Sequence, residues 1–274
     1  MSPLRVIICI LLAGIAAFVA YRLKTLSRSG ALAAFLLGAE VFGLGGLPWA
    51  IVLLVFFITS SGFSRLLKQR KTKVEGQFAK GSRRDAWQVG ANGGVAGLAA
   101  LLGVFLPGSV IPWVLFAAAF AAANADTWAT ELGVLSKNWP RSLRNGQRVP
   151  AGTSGAVSLA GTLAAAGGAI LIALTAWLAQ PAIGDTAIDR FTLALIIAIA
   201  GFAGSLVDSL LGATVQAIYW CPSCQKETEK HPLHSCGNET ALQRGWQWMN
   251  NDVVNLVCTA SAALLAYLLT AALY

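Results

Sequence analysis

Four carboxylates stand where carboxylates are expensive. Asp126, Glu131, Asp208 and Asp252 fall within or at the ends of long apolar runs, accompanied by Asn124, Thr127, Ser205, Ser209, Asn250, Asn251 and Asn255. Ionisable groups at membrane depth mark functional sites more often than structural ones. Hard oxygen donors suit Mg²⁺, which takes carboxylate and amide oxygens and shares its shell with waters or substrate phosphates. Asp126, Asp208 and Asp252 are therefore the expected Mg²⁺ ligands, and with Glu131 they form the expected catalytic set. Asn124, Asn251 and Asn255 would orient phosphate or metal, with Thr127, Ser205 and Ser209 lining the substrate. Lys137 and Arg141 would stabilise charge. The Gly-Thr-Ser-Gly run at 152–155 would open a helix, where Thr153, Ser154 and free N–H groups suit a phosphate; a plain helix cap is an equal reading. No G-x-x-x-x-G-K-[ST] run occurs, so a P-loop is not implied. A second reading of the acids also stays open: a buried hydrogen-bond network that only ties helices together.

A different chemistry sits in Cys221-Pro-Ser-Cys224 and His234-Ser-Cys236. A C-x₂-C pair followed by His and Cys can complete a tetrahedral, structural Zn²⁺ site. His231 is an alternative ligand, and reduced thiols in a polar loop are the plain alternative. Cys9 and Cys258 lie in apolar runs and read as packing residues.

The elements that must position these groups follow from composition. Of 274 residues, 56% are hydrophobic and only 12% charged, with mean hydropathy +0.66. Soluble domains carry about 25% charged residues, so an ordinary soluble enzyme, a disordered chain and a nucleic-acid module are excluded. Eight candidate spans lie near 4–21, 30–46, 48–63, 87–106, 110–135, 153–179, 191–219 and 253–273. The expected fold is all-α: one polytopic membrane domain over 1–274, with a basic loop at 64–85 and a Cys/His loop at 220–250 as insertions. The first span reads as a retained anchor, because it lacks a small-x-small cleavage site. Spans two and three, parted only by 43–48 and holding Glu40, could instead be a hairpin that does not fully cross.

Within the spans, Gly201, Gly204, Ser205, Asp208 and Gly212 share one helical stripe. Small residues permit close helix approach, so this stripe frames a carboxylate. Span five is small almost all round at 117–123 and polar on two faces beyond it, which predicts the central helix of the bundle.

With eight crossings, every Lys and Arg except Arg5 and Arg190 falls on one side. Basic loops stay cytoplasmic, so both termini are expected outside and the acids near the cytoplasmic face of an integral membrane protein. The lack of a Ser/Arg-rich leading segment favours a prokaryotic plasma membrane. The 64–85 loop reads either as a topology determinant touching anionic lipid or as a collar that attracts a phosphorylated substrate.

Four runs carry a resemblance. Asn124-Ala-Asp126-Thr-Trp128-Ala-Thr130-Glu131-Leu-Gly133-Val-Leu-Ser136 and Gly152-Thr-Ser-Gly155 come first. Gly204-Ser-Leu-Val-Asp208-Ser-Leu-Leu-Gly212-Ala-Thr-Val-Gln216 and Asn250-Asn251-Asp252-Val-Val-Asn255 follow. In order and spacing the chain resembles the transmembrane protein 19 family, also called domain of unknown function 92, over nearly its whole length. That family includes the phytyl-phosphate kinase of tocopherol salvage. The resemblance implies a membrane kinase that converts an isoprenoid-type alcohol monophosphate to the diphosphate with a nucleoside triphosphate, CTP being favoured by the resemblance alone. Such phosphoryl transfer is mainly positioning and charge neutralisation, which the acids, hydroxyls and Mg²⁺ would supply; lipid, isoprenoid phosphate and nucleotide are the implied partners. The rival classes are a cation-coupled transporter and a non-catalytic lipid-binding membrane protein.

The charge pattern makes a direct prediction. Thiols introduced beside Gly108 should react with an impermeant reagent added outside, and thiols beside Asn145 should not; the reverse labelling would invert the assigned topology.

Overall fold

A bilayer core of about 30 Å needs about 20 helical residues to cross it. The computed structural model describes residues 3–66, 83–136, 138–181 and 188–274, and these form a helix bundle of that scale. In chain order the helices are α1 (Pro3–Arg22), α2 (Arg28–Gly45), α3 (Leu47–Leu66), α4 (Ala86–Phe105), α5 (Ile111–Gly133), α6 (Leu159–Ala179), α7 (Arg190–Thr214) and α8 (Asn251–Ala271). Six of them, α2, α3, α4, α6, α7 and α8, are long and apolar enough to cross a membrane. Polar residues lower the hydropathy of α5, and its position explains why it tolerates them.

That helix is wrapped in protein. It packs against α3, α4, α6, α7 and α8, and from Pro112 to Ala125 only Leu115 escapes full burial. The small run at 117–123 lets five neighbours come close, so the expected central helix is found. The outward faces of other helices carry exposed Leu98, Leu163, Ile199 and Leu268, as a lipid-solvated surface should. At the end remote from the acids, Trp49 of α3 meets Trp113 of α5 edge-on at 5.3 Å and Phe116 at 4.6 Å, fixing the two helices together.

Close approach is a matter of missing side chains. A Cβ on Gly201 would strike Ala121. One on Gly204 would lie 2.9 Å from the Ala122 and Ala262 Cβ atoms and 2.8 Å from Cys258 O. One on Gly168 of α6 would lie 3.0 Å from Asn124 O. The stripe on α7 thus seats that helix on both α5 and α8.

Three boundaries differ from expectation. Helix α6 begins at Leu159, capped by Ser158, whose Oγ accepts from Gly161 N at 3.1 Å. The 152–155 run therefore precedes the helix as a turn, with Gly155 at φ 73° and pressed against the backbone of Ala213. Both features require glycine there. Helix α7 ends at Thr214 rather than near 219. Spans two and three are helices of 18 and 20 residues, long enough to cross, and are parted by Gly46 alone, at φ 74°, rather than by a turn over 43–48.

Short strands complete the fold. β1 (Arg141–Ser142) pairs antiparallel with β2 (Ala156–Val157). In the 220–250 insertion, β3 (Ile218–Cys221) lies between β4 (Lys226–Thr228) and β5 (Ala241–Arg244) in an antiparallel sheet. The basic 64–85 insertion falls mostly outside the described residues.

Gly204→Leu should unseat α7. Overpacking a tight core costs about 1–3 kcal/mol, so its melting temperature in detergent should fall clearly. Leu210→Ala, on the exposed face of the same helix, should leave it unchanged.

Candidate active site at one end of the bundle

Antiparallel alternation brings the last turns of α3, α5 and α7 to the same end as the first turns of α4, α6 and α8. A cavity of about 560 Å³ opens there. Its wall carries Asp126 and Glu131 from α5, Asp208 from α7, and Asn251, Asp252 and Asn255 from α8. Asp126 lies one turn beyond Ala122, and Asp208 one turn beyond Gly204. The contact that joins the two helices therefore brings the two carboxyls close enough to interact electrostatically. Asp208 Oδ2 is buried and has no hydrogen-bond partner among the described residues. A cation bound between the pair would satisfy it, and oxygen donors of this type fit Mg²⁺.

Local capping sets the remaining walls. Asn250 Oδ1 accepts from Asp252 N and Val253 N at 3.0 and 3.1 Å, starting α8 at the cavity. Asp85 and Gln88 form a reciprocal capping box at the start of α4. This places Gln88 and Asn92 on the wall. Ser64 Oγ of α3 donates to Glu131 Oε1 at 2.7 Å.

Arg84 is the one Lys or Arg on the wall among the described residues. Its backbone pairs with the α1–α2 connection: Arg84 N donates to Thr25 O at 3.0 Å, and Ser27 N donates to Arg84 O at 2.9 Å. Its guanidinium donates to Ser60 Oγ at 3.0 Å and lies 5.7 Å over the Phe56 ring. Burial pushes its pKa down, while the charges of Glu131 and Asp126 hold it up. Asp126, Glu131, Asp208, Asp252 and Glu229 face this single cation across the cavity.

The turn before α6 forms another wall, with Gly152, Thr153, Ser154 and Gly155 all lining it. Ser154 Oγ donates to Gln216 Oε1 at 2.7 Å, and Gln216 Nε2 donates to Glu229 Oε1 at 2.9 Å. Arg244 braces the turn from behind, donating to Gly212 O and Ser154 O at 2.9 and 3.3 Å.

Of the residues picked out by sequence, all four carboxylates, Thr127, Thr153, Ser154, Ser205, Ser209, Asn251 and Asn255 line the cavity. Several hydroxyls already donate inside the fold: Thr127 to Ala123 O, Ser205 to Phe202 O, Ser209 to Ser205 O and Thr153 to Pro150 O. They face the cavity chiefly as acceptors. Asn124 is a correction. It is fully buried away from the cavity, with Oδ1 accepting from Thr59 Oγ1 at 3.0 Å and Nδ2 donating to Gly168 O at 2.9 Å. It clamps α3, α5 and α6 together. Arg141 is a second correction: it is exposed on β1 and donates to Gly146 O. Lys137 lies outside the described residues. Arg84, Ser64, Gln216, Tyr219 and Glu229 were not singled out by sequence, and His231 was named only as an alternative zinc ligand. Arg84 hid among the basic residues of its loop, and only the polarity of the others pointed to them.

The cysteine cluster converges. Ligand atoms of Cys221, Cys224, His234 and Cys236 all lie within 4.8 Å of one another. His234 beside it pulls the Cys236 thiol down to about 5, and the hydrogen bond with Cys236 pushes Cys224 up to about 11. Cys9 and Cys258 are buried packing residues, as expected.

Apolar helices around a polar, acid-rich cavity define a polytopic integral membrane protein. A family model described as "Integral membrane protein DUF92" matches residues 11–263, and the chain belongs to that family. It is 32% identical over 270 residues to "Protein PGR" of Arabidopsis thaliana, covering 92% of each chain. It is likewise 32% identical over 213 residues to an uncharacterized membrane protein of Methanocaldococcus jannaschii, covering 77% of this chain and 83% of that one. "Protein VTE6, chloroplastic" of Arabidopsis thaliana is 25% identical over 251 residues, covering 89% of this chain and 65% of that one. No solved structure matches.

Asn124→Ala should cost about 1–3 kcal/mol by breaking a buried clamp. The melting temperature in detergent should drop, while activity per folded molecule should stay near wild type.

Proposed function

We propose that this chain is a membrane kinase that phosphorylates an isoprenoid-type alcohol monophosphate, such as phytyl or prenyl phosphate, to the diphosphate. The donor is a nucleoside triphosphate, with CTP favoured by family likeness. The active face is cytoplasmic in a prokaryotic plasma membrane. The observation that carries this reading is the meeting of Asp126 and Asp208 inside an acid-rich cavity whose walls also carry amides, hydroxyls and one arginine.

The reaction joins two anions. An oxygen of the lipid monophosphate attacks the γ-phosphorus of the nucleotide. A new P–O bond forms, the bond from that phosphorus to the β–γ bridging oxygen breaks, and the nucleoside diphosphate leaves with the electron pair. Little covalent help is needed, so catalysis rests on positioning and charge neutralisation. Asp126 and Asp208, with Asp252, are the residues that would hold Mg²⁺, which supplies charge neutralisation on the phosphates. Arg84 faces the same space and offers donors to non-bridging oxygens. The start of α8 turns its positive dipole end toward the cavity, favouring an anion, while Asn250 already occupies the Asp252 and Val253 N–H groups. Asn251 and Asn255 orient the anion, and the 152–155 turn supplies backbone contacts. The cavity's volume falls in the ordinary range for small-molecule sites.

The location argues for an enzyme over a carrier. Carriers hold substrate near the bilayer midplane, whereas these acids gather toward one end of the bundle, Asp126 and Asp208 about two turns from the ends of α5 and α7 and Asp252 in the first turn of α8.

Purified protein with labelled nucleotides, Mg²⁺ and phytyl or prenyl monophosphate should form the diphosphate. Asp126→Asn and Asp208→Asn should each cut turnover by orders of magnitude, because electrostatic stabilisation dominates such catalysis. Their melting temperatures should change little, since an amide keeps volume and hydrogen bonding. Wild-type turnover in both variants would refute the assignment of the site.

A further inference from the structure

We propose that Cys221, Cys224, His234 and Cys236 bind one tetrahedral Zn²⁺, which ties down the strand-and-loop wall that carries Glu229 and His231 to the cavity. The donor distances are those of a coordination shell. Cys221 Sγ lies 3.6 Å from Cys236 Sγ, and His234 Nδ1 lies 3.4 Å from Cys224 Sγ and 3.3 Å from Cys236 Sγ. A tetrahedron with zinc–sulfur arms of about 2.3 Å has edges of about 3.8 Å, slightly shorter toward nitrogen. A disulfide would need the sulfurs about 2.05 Å apart, and all these cysteines are free. Three sulfurs and one imidazole are a soft, closed donor set that selects zinc over Mg²⁺ or Ca²⁺. With four protein ligands no position remains for a reacting water, so the ion is structural.

The surrounding chain supports the shell. Cys221 closes β3, and Cys224 lies in the turn to β4. His234 and Cys236 lie in the connection to β5. His234 N donates to Asn238 O, Gly237 N to His234 O, and Asn238 Nδ2 to the Cys236 sulfur at 3.4 Å. Strands of three or four residues bury too little apolar area to hold a sheet of this size alone, and small units of this kind need a staple.

What the staple holds is the cavity wall. Glu229 follows β4, between Cys224 and His234 in the chain. It accepts from Gln216 at 2.9 Å and lies within electrostatic reach of Asp208. His231 stacks on Tyr219 with centroids 4.4 Å apart and planes within 8°. All three side chains line the cavity. The zinc reading rests on the loop's own geometry and stands whether or not the kinase reading does.

Elemental analysis of untagged, purified protein should find about one zinc per chain, with an X-ray absorption shell of three sulfurs and one nitrogen. Cys224→Ser should abolish it, and Cys9→Ser should retain it. If Cys224→Ser does not fold, titrating the wild type with a thiol-modifying reagent should release zinc in step with modification of the cluster thiols. Stripping the metal should strip hydrogen-exchange protection from 218–245 while α5 and α7 keep theirs. Folded wild-type protein without zinc, or zinc that survives loss of the cluster thiols, would overturn the site. Unchanged protection after stripping would overturn its role in holding the wall.

Discussion

The seating of α7 on α5 is the contact from which the rest of the site follows. At Gly201 and Gly204 the α7 backbone meets the methyl groups of Ala121 and Ala122 with no side chain between. Within a membrane, burial of apolar surface gives helices little reason to associate, so van der Waals fit between small residues must do so. The two helices run in the same direction and repeat at the same pitch. One turn past that contact, Asp126 and Asp208 therefore meet. A larger residue at either glycine would part the helices and the carboxyls together.

Carboxylates brought so close need compensation, and the bundle is organised to provide it. Arg84 is drawn in by backbone pairing with the α1–α2 connection, so the most peripheral helix of the described bundle helps to place the one guanidinium on the wall. Aromatic contacts tie α3 to α5 along its length, from Trp49 on Trp113 at the far end to Phe63 on Trp128 near the site, where α3 presents Ser60 to Arg84 and Ser64 to Glu131. Buried Asn124 holds α3, α5 and α6 in register directly beneath the acids. Structural and site-forming polar groups thus occupy adjacent turns of α5 but face different neighbours.

The small sheet and its loops form one wall of the cavity. Ser154, Gln216 and Glu229 form a continuous hydrogen-bonded chain from the turn before α6 to the strand insertion, and Arg244 joins the same turn to the end of α7. Elements far apart in sequence are held by these polar contacts, because strands this short contribute little packing of their own.

Much of this was legible in the sequence. Eight apolar runs, the glycine stripe on α7, the small all-round character of α5 and the C-x₂-C spacing each reflect local periodicity, which survives without knowledge of neighbours. So did the gathering of four acids at one end, because alternation of spans sets the level of each residue. Facing was not legible. Asn124 shares a helical face with Thr127 and Glu131, yet Gly168 approaches so closely that its amide is spent on α3 and α6. Arg84 looks like any other member of a basic loop until the α1–α2 connection pairs with it. The 152–155 run resembles a helix start, but the real cap is Ser158, since Gly155 must turn to pass Ala213. The sequence by itself determined the class, the apolar helices and the end of the bundle at which the acids gather, through hydrophobic period and the cost of burying charge. Only the tertiary structure decided which polar groups face the cavity and which face another helix, because that depends on how closely two backbones meet.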